Sequence, residues 1–330
     1  MNFFSKIKSR KFSKTLAAVI ASGVLFFGAG DAVAAPDDDA KFEFRQAYLS
    51  IPQDNRAFHQ NITFFGTTFH ADINSNGVIL RDASMKMSGN FNWEYTNPKT
   101  NITTNTTMPF YLIQNGDEMT FYIQRNNKWS KFSLPGVPVA LANALKANDL
   151  ATLQDNINAV KNVSIFRENR MQQIFNITLD GKYIANLMQG YSTKQDTTEL
   201  SAAEVASQQN FSRNLSAALQ KTDINCMWTV DKVNNRTVTA VFDFTELMRA
   251  YAKNILDESA EGTIVLTDEE RLLMDTIGYY SEFHYSFSYA GADLKFNLNL
   301  PGAAQKAAVN NNIFSDLFSD MTTSVKTKKR

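Results

Sequence analysis

The chain has 330 residues, of which 44% are hydrophobic and 12% aromatic, with 33 basic and 33 acidic side chains. This apolar content is sufficient for a folded core and argues against an intrinsically disordered protein. The formal net charge of zero argues against nucleic acid as the main partner, because phosphate binding needs a basic surface. The length suits one large domain or two small ones.

Residues 1–34 have the three parts of a secretory signal peptide. Five basic residues precede the apolar stretch LAAVIASGVLFFGAG, and Ala32 and Ala34 supply the small residues of a cleavage site. We therefore expect cleavage after Ala34, which removes five basic residues and one acidic residue and leaves a net charge of −4. The alternative is an uncleaved membrane anchor, for which the apolar stretch is about five residues short.

The signal peptide predicts export to the periplasm or the medium. No cysteine lies at the end of the apolar stretch, where a lipid would be attached, so a lipid anchor is not expected. Cys226 is the single cysteine of the sequence, which excludes an internal disulfide. Its alternation with Ile224 and Trp228 predicts a buried strand residue rather than a reactive thiol. The lack of disulfides and the Asn- and Lys-rich composition suggest a bacterial cell-envelope protein.

Three segments are expected after the signal peptide: a polar lead over residues 35–41, a single domain over 42–308, and a loose tail over 309–330. The domain is predicted to begin with strands at Phe42, which continue to about Leu134 as an antiparallel meander. We interpret NITFFGTTFHADI as one strand, and the Ser-Asn-Gly triplet after it as a hairpin turn.

The stretch ASMKMSGNFNWEY, residues 83–95, alternates apolar and polar side chains without a break. This period of two predicts a long strand with one apolar face and one face in water. Gly89 falls on the apolar face, and glycine inside a strand often marks a bend or bulge. MPFYLI and EMTFYIQ then predict a second hairpin.

Beyond Leu134 the pattern predicts helices that alternate with strands. Helices are expected over 135–149, 149–161, 181–191, 245–259 and 266–278, and strands over 162–180, 224–232, 236–244 and 279–301. Residues 191–200 are expected to be an exposed connection, with a further helix between it and Asp223. IFNITLDGKYIANLM and VFDFTELMRAYAKNIL share a strand, a threonine and an amphipathic helix, which suggests one architectural unit used twice. One-sided strands must bury their apolar faces, so we predict an α+β fold: a long, curved antiparallel sheet, or half-barrel, covered on its concave face by amphipathic helices.

The sequence contains no recognisable catalytic or metal-binding pattern. His59, His70 and His284 are not at metal-ligand spacing, and HExxH, GxSxG, SxxK and Cys–His signatures are missing. We therefore expect no cofactor, no metal and no covalent chemistry, and an enzyme is the least supported class.

The segment FYIQRNNKWSKFSL contains Trp129-x-Lys131-Phe132 just before a Pro-Gly turn. Together with the order of meander strands, helical insertion, more strands and another helix, this segment resembles the LolA/LppX-type fold. That group includes periplasmic lipoprotein carriers and exported lipid-transfer lipoproteins. The likeness covers roughly residues 42–190, with weaker support from 224–300, and it implies a lipid or lipoprotein carrier.

The predicted function is the binding or carriage of a lipid, an acyl chain or another apolar small molecule by a monomer. An envelope protein is a further possible partner. The candidate residues for an apolar cavity are Met85, Met87, Phe91, Trp93, Phe121 and Ile123. The alternative is that these side chains simply pack, in which case the protein is an envelope structural or protein-interaction module with a filled core.

Overall fold

The computed structural model describes eleven stretches of the chain and single residue 210. The stretches are 39–49, 56–66, 69–79, 85–96, 101–115, 118–134, 158–192, 213–234, 236–266, 268–290 and 298–310, with residue 210 between the seventh and eighth. Several predictions therefore lie outside the described residues. They are the signal peptide, the helix over 135–149, residues 149–157 of the helix over 149–161, the second arm of the final hairpin over 291–297, and the tail beyond 310. The end of the helix over 149–161 is described, and there the prediction is wrong, because Val160 already begins a strand.

The described residues form twelve strands and six helices. The strands are β1 Arg56–Phe65, β2 Phe69–Ile79, β3 Met85–Thr96, β4 Thr103–Asn115, β5 Glu118–Arg125, β6 Lys128–Leu134, β7 Val160–Glu168, β8 Gln172–Leu179, β9 Ile224–Asp231, β10 Arg236–Asp243, β11 Glu282–Ala290 and β12 Ala308–Val309. The helices are α1 Asp39–Leu49, α2 Gly181–Ser192, α3 213–219, α4 Thr245–Ala260, α5 Asp268–Tyr280 and α6 Gly302–Gln305. Among them, no helix is long and apolar enough to cross a membrane.

All twelve strands belong to one open, curved sheet in the order β12-β6-β5-β4-β3-β2-β1-β11-β10-β9-β8-β7. Two antiparallel meanders, β1 to β6 and β7 to β11, join where β1 pairs with β11. The short β12 adds a parallel pairing to the edge strand β6. The predicted α+β class with a long antiparallel sheet is confirmed.

A single apolar core lies against one face of this sheet. The register places Ile62, Ile73, Phe91 and Met108 in one row across β1 to β4. A second row, Ile177, Cys226, Phe242 and Tyr285, crosses β8 to β11. Both rows are buried in one cluster with helix residues such as Ala185, Leu219 and Leu247. Helices therefore cover this face, as predicted.

The alternation predicted for β3 is confirmed. Met87, Phe91 and Trp93 are buried, whereas Lys86, Asn90 and Glu94 between them are exposed. On the solvent face of the neighbouring strands, the Asn61 amide donates hydrogen bonds to Asp72 and Asn74, each at 2.6 Å. On the solvent-exposed face, polar side chains therefore form hydrogen bonds with one another, while the apolar side chains of the opposite face pack in the core.

The prediction of one strand over NITFFGTTFHADI and of a turn at Asn76-Gly77 is wrong. The chain turns between β1 and β2 instead, and Gly77 lies inside β2, opposite Phe58. A Cβ on Gly77 would come within 2.2 Å of the Phe58 ring. The glycine is there because an aromatic ring from the next strand occupies the place of a side chain, not because the chain reverses.

Gly89 allows a close approach between two strands. It pairs with Ser75 in a ladder of β2 and β3 that runs without a register shift, so it is not a bulge. A Cβ there would lie 2.1 Å from the Asn74 carbonyl oxygen and 2.7 Å from Ser75 Cα. Because that Cβ would point toward the core face, the two backbones lie close together on this side. The bend at Gly89 stays a prediction, and this close approach is a physical reason for it.

The beginning and end of the domain differ from the prediction. Residues expected as the end of a polar lead and the first strand form α1, where Phe44 is buried and Phe42 is half exposed. Their alternation imitated a strand, but one ring anchors the helix: Phe44 contacts Phe175 and Trp228 edge-on, at 5.7 and 5.5 Å between centroids. At the other end, α6 and β12 extend the fold to residue 309, where a loose tail was expected to begin.

The predicted strand-and-helix unit occurs twice. In each copy the described residues include two helices between a strand and its antiparallel neighbour: β8-α2-α3-β9 and β10-α4-α5-β11. An aspartate precedes each helical part: Asp180 accepts a hydrogen bond from the Tyr183 N–H, and Asp243, the last residue of β10, accepts one from the Thr245 N–H two residues on. The Thr245 hydroxyl oxygen also accepts the Phe283 N–H, which ties α4 to β11.

An ion pair at the entry to β9 makes stability depend on pH. Asp223 accepts hydrogen bonds from Lys161 Nζ at 2.8 Å and from the Gly181 N–H at 3.3 Å. Chiefly through Lys161, these contacts hold the pKa of Asp223 below its ordinary value. A carboxyl group with a lowered folded-state pKa stabilises the fold above its unfolded pKa, and this contribution is lost as pH falls through the folded pKa.

We therefore expect Asp223→Asn to lower the free energy of unfolding at pH 7. The gap to wild type should begin to close as the pH falls below about 4, the ordinary pKa of an aspartate, and should be lost once the pH has fallen through the lowered pKa of the folded carboxyl group. Urea melts at a series of pH values measure this gap, and the exposed substitution Glu261→Gln serves as control. A gap that stays constant from pH 7 to pH 2 would contradict the linkage.

Candidate functional site

Five of the six candidate residues lie side by side in the core. Each is at most 8% exposed: Met87, Phe91 and Trp93 in β3, and Phe121 and Ile123 in β5. Met85 opens β3, where its backbone pairs with Ile79, but its side chain is outside the described part of the structure. The structure therefore brings the described candidates onto one buried surface.

Strand β4 connects the two groups of candidates. Leu112 pairs with Met87 on one side and with Phe121 on the other. Phe110 pairs with Ile123, and its ring centroid is 5.5 Å from that of Phe121. Since neighbouring strands are about 4.8 Å apart, Met87 and Phe121 are separated by roughly 10 Å of apolar surface. This surface can lie against several methylene groups of a chain.

The apolar surface ends next to Trp93. The Trp93 ring is stacked with that of Phe91, with centroids 6.2 Å apart and planes at 10°. Across β4, the residue paired with Trp93 is Thr106, which is exposed although it lies on the same face of the sheet. Here the covered part of the core face meets solvent.

Polar side chains that the sequence reasoning missed lie on the same buried face. Gln60 of β1 is 2% exposed, and its Oε1 accepts a hydrogen bond from the Tyr285 hydroxyl at 3.4 Å. Ser75, directly opposite Gln60 on β2, donates to the Met87 sulfur at 3.1 Å. The signal was present in the sequence, because Gln60 alternates with Phe58 and Ile62 and so falls on an apolar position of its strand.

The groups that could support covalent or metal chemistry are poorly placed for it. Burial raises the pKa of the Cys226 thiol, which keeps it protonated and weakly nucleophilic. His284 lies on the partly exposed face, with ring nitrogens 3.8 Å from Asp243 and 3.6 Å from Glu282. Within the described residues, no three His, Cys, Asp or Glu side chains are grouped as metal ligands would be.

Comparison with known proteins gives a likeness of fold. No protein-family model matches the chain, and no curated protein matches it. Among solved structures, the crystal structure of LprF from Mycobacterium bovis matches 81% of this chain and 99% of its own, with a TM-score of 0.37 and 10% sequence identity. This degree of similarity carries no information about what the present chain binds, so membership of the LolA/LppX group stays a prediction.

Proposed function

We propose that the protein binds or carries an apolar ligand, a lipid or an acyl chain, outside the cytoplasm and without covalent chemistry. One observation supports this above the others. The apolar core is spread over one face of a single twelve-stranded curved sheet, and the five candidate residues whose side chains are described form a continuous part of it. A curved sheet with helices over its concave side is an architecture in which an apolar chain can lie between the layers.

Burial of the apolar chain alone can supply the binding free energy, without a charged side chain to hold a ligand head group. Each methylene group transferred from water to such a surface contributes about 0.8 kcal/mol, so a chain of several methylenes gains useful affinity. Met87 suits this role because an unbranched thioether adapts to varied apolar shapes. The exposed Thr106 beside buried Trp93 marks where a chain could enter from solvent.

The first test is organic extraction of the purified native protein followed by mass spectrometry. A lipid or acyl compound in amounts comparable to the protein is the expected result. After delipidation, binding of a fluorescent fatty-acid probe should be saturable. The absence of both an extracted ligand and probe binding would contradict the proposal.

Two neighbouring residues of β5 give a matched pair of variants. Phe121 faces the core and Tyr122 the opposite side. We expect Phe121→Ala to weaken probe binding about tenfold or more, equivalent to 1.4 kcal/mol, and Tyr122→Ala to change it little. Circular dichroism must show that both variants are folded. Equal binding by the two variants would show that the core face around Phe121 is not the binding surface.

The second candidate function, an interaction module with a filled core, is favoured by one group of exposed residues. Phe166, on the edge strand β7, is 62% exposed, and Met171 and Val233 in the adjoining hairpin tips are 61% and 64% exposed. Exposed apolar side chains on the terminal strand of a sheet, as β7 is among the described strands, are typical of surfaces that contact another protein. Failure of the ligand tests would leave this function as the better account.

A further inference from the structure

The side-chain amide of Gln60 is the most unusual polar group in the core. It is 2% exposed, and its Nε2 has no hydrogen-bond partner within the described part of the chain. A buried donor without an acceptor is costly, because the water molecules that would solvate it have been removed. Such a group in a native fold calls for a ligand or another occupant that accepts its hydrogen bond.

The surroundings of Gln60 offer more donors than strong acceptors. The Tyr285 hydroxyl already donates to the Gln60 carbonyl oxygen at 3.4 Å. The Ser75 hydroxyl donates to the Met87 thioether at 3.1 Å, and a thioether is a weak acceptor. The two N–H groups of Gln60 and the hydroxyl of Ser75 are therefore available to a stronger acceptor.

Gln60 and Ser75 lie next to the candidate surface, which is the buried face formed by Met87, Phe91, Trp93, Phe121 and Ile123. Gln60 pairs with Ser75, and Ser75 pairs with Gly89 in β3. Gly89 lies between Met87 and Phe91 on the core face and carries no side chain that could cover the spot from that direction. A chain lying along Met87 and Phe121 would thus have a polar end within reach of Gln60.

We propose that the Gln60 amide donates a hydrogen bond to the carbonyl oxygen of an acyl ester bound on the core face. The inference rests on the proposed function and specifies its ligand class. A neutral ester carbonyl suits the site because Gln60, Ser75 and Tyr285 are neutral donors. A hydrocarbon without an acceptor would leave Nε2 unpartnered.

The experiment compares two probes of equal chain length, methyl hexadecanoate and hexadecane, delivered from cyclodextrin to the delipidated full chain. Wild type should prefer the ester by about three- to tenfold, the range expected for one hydrogen bond. Gln60→Met keeps a similar side-chain length without the amide, so it should remove this preference while hexadecane binds as before.

Gln173→Met is the matched control, because the buried Gln173 amide donates to Glu43 beneath α1, away from the candidate surface. It should keep the ester preference. A second readout needs no variant: the side-chain amide signals of Gln60 in a ¹H–¹⁵N NMR spectrum should shift with the ester and not with the alkane.

Four outcomes would overturn the inference. Equal binding of the two probes by wild type, or an undiminished ester preference in Gln60→Met, rejects the role of Gln60 and leaves apolar-ligand binding intact. Binding of neither probe rejects the proposed function and the inference together. An unshifted Gln60 signal at saturating ester rejects the hydrogen bond directly.

Discussion

Trp93→Ala is expected to lower the free energy of unfolding by about 3 to 5 kcal/mol, the cost of truncating a packed aromatic side chain in a core. The reason is its burial to 8% exposure and its stacking on Phe91, whose contacts would also be lost. Lys86→Ala, on the opposite face of the same strand, should change stability by no more than about 0.5 kcal/mol. Urea melts of the two variants and the wild type measure both effects.

The pair tests the orientation of β3 as well as its stability. If the odd positions of this strand did not face the core, the two substitutions would be tolerated equally. A large loss from Lys86→Ala would likewise contradict the assignment of the even positions to solvent. Comparison of the slopes of the melts shows whether either substitution changes the compactness of the unfolded chain.

The alternation of apolar and polar residues was sufficient to predict most of the sheet. In β3, β5 and β9 the buried residues are those of the predicted parity, since a strand that packs on one side must alternate. The apolar stripe of α4 was equally readable, with Leu247, Tyr251 and Ala252 all buried. In these elements the spacing of the apolar residues alone shows which side faces the core.

Other parts of the fold depend on partners that are distant in the sequence. Gly77 looked like a turn residue because the local sequence does not show that Phe58 is beside it. A glycine is required there because the Phe58 ring, on the neighbouring strand, occupies the space of a side chain. α1 looked like a strand because its alternation came from Phe42 and Phe44, whereas its one described aromatic anchor packs on β8 and β9. The residues around Gly77 or Phe44 do not reveal which side chains from distant strands will pack against them.

Some residues of the candidate site could be predicted from the sequence and others could not. Its apolar residues were predictable because they share the parity of a long strand. Gln60 was not found because the segment after it was divided wrongly into strands, which obscured the parity that places Gln60 among Phe58 and Ile62. Its environment also depends on Tyr285, which is 225 residues away and reaches it through the β1–β11 pairing.

Gly89→Val should be among the most damaging substitutions in the sheet, with a loss of at least about 3 kcal/mol, the upper end of the usual cost of overpacking. Its first added atom would lie 2.1 Å from a backbone oxygen and 2.7 Å from Ser75 Cα, so side-chain rotation cannot relieve the clash. The strands β2 and β3 would have to separate where Gln60, Ser75 and Met87 meet. Gly302→Ala is the control, because nothing lies within 4 Å of its added Cβ. Urea melts compare the two variants, and equal stability would show that the fold does not depend on the close approach of the two backbones at Gly89.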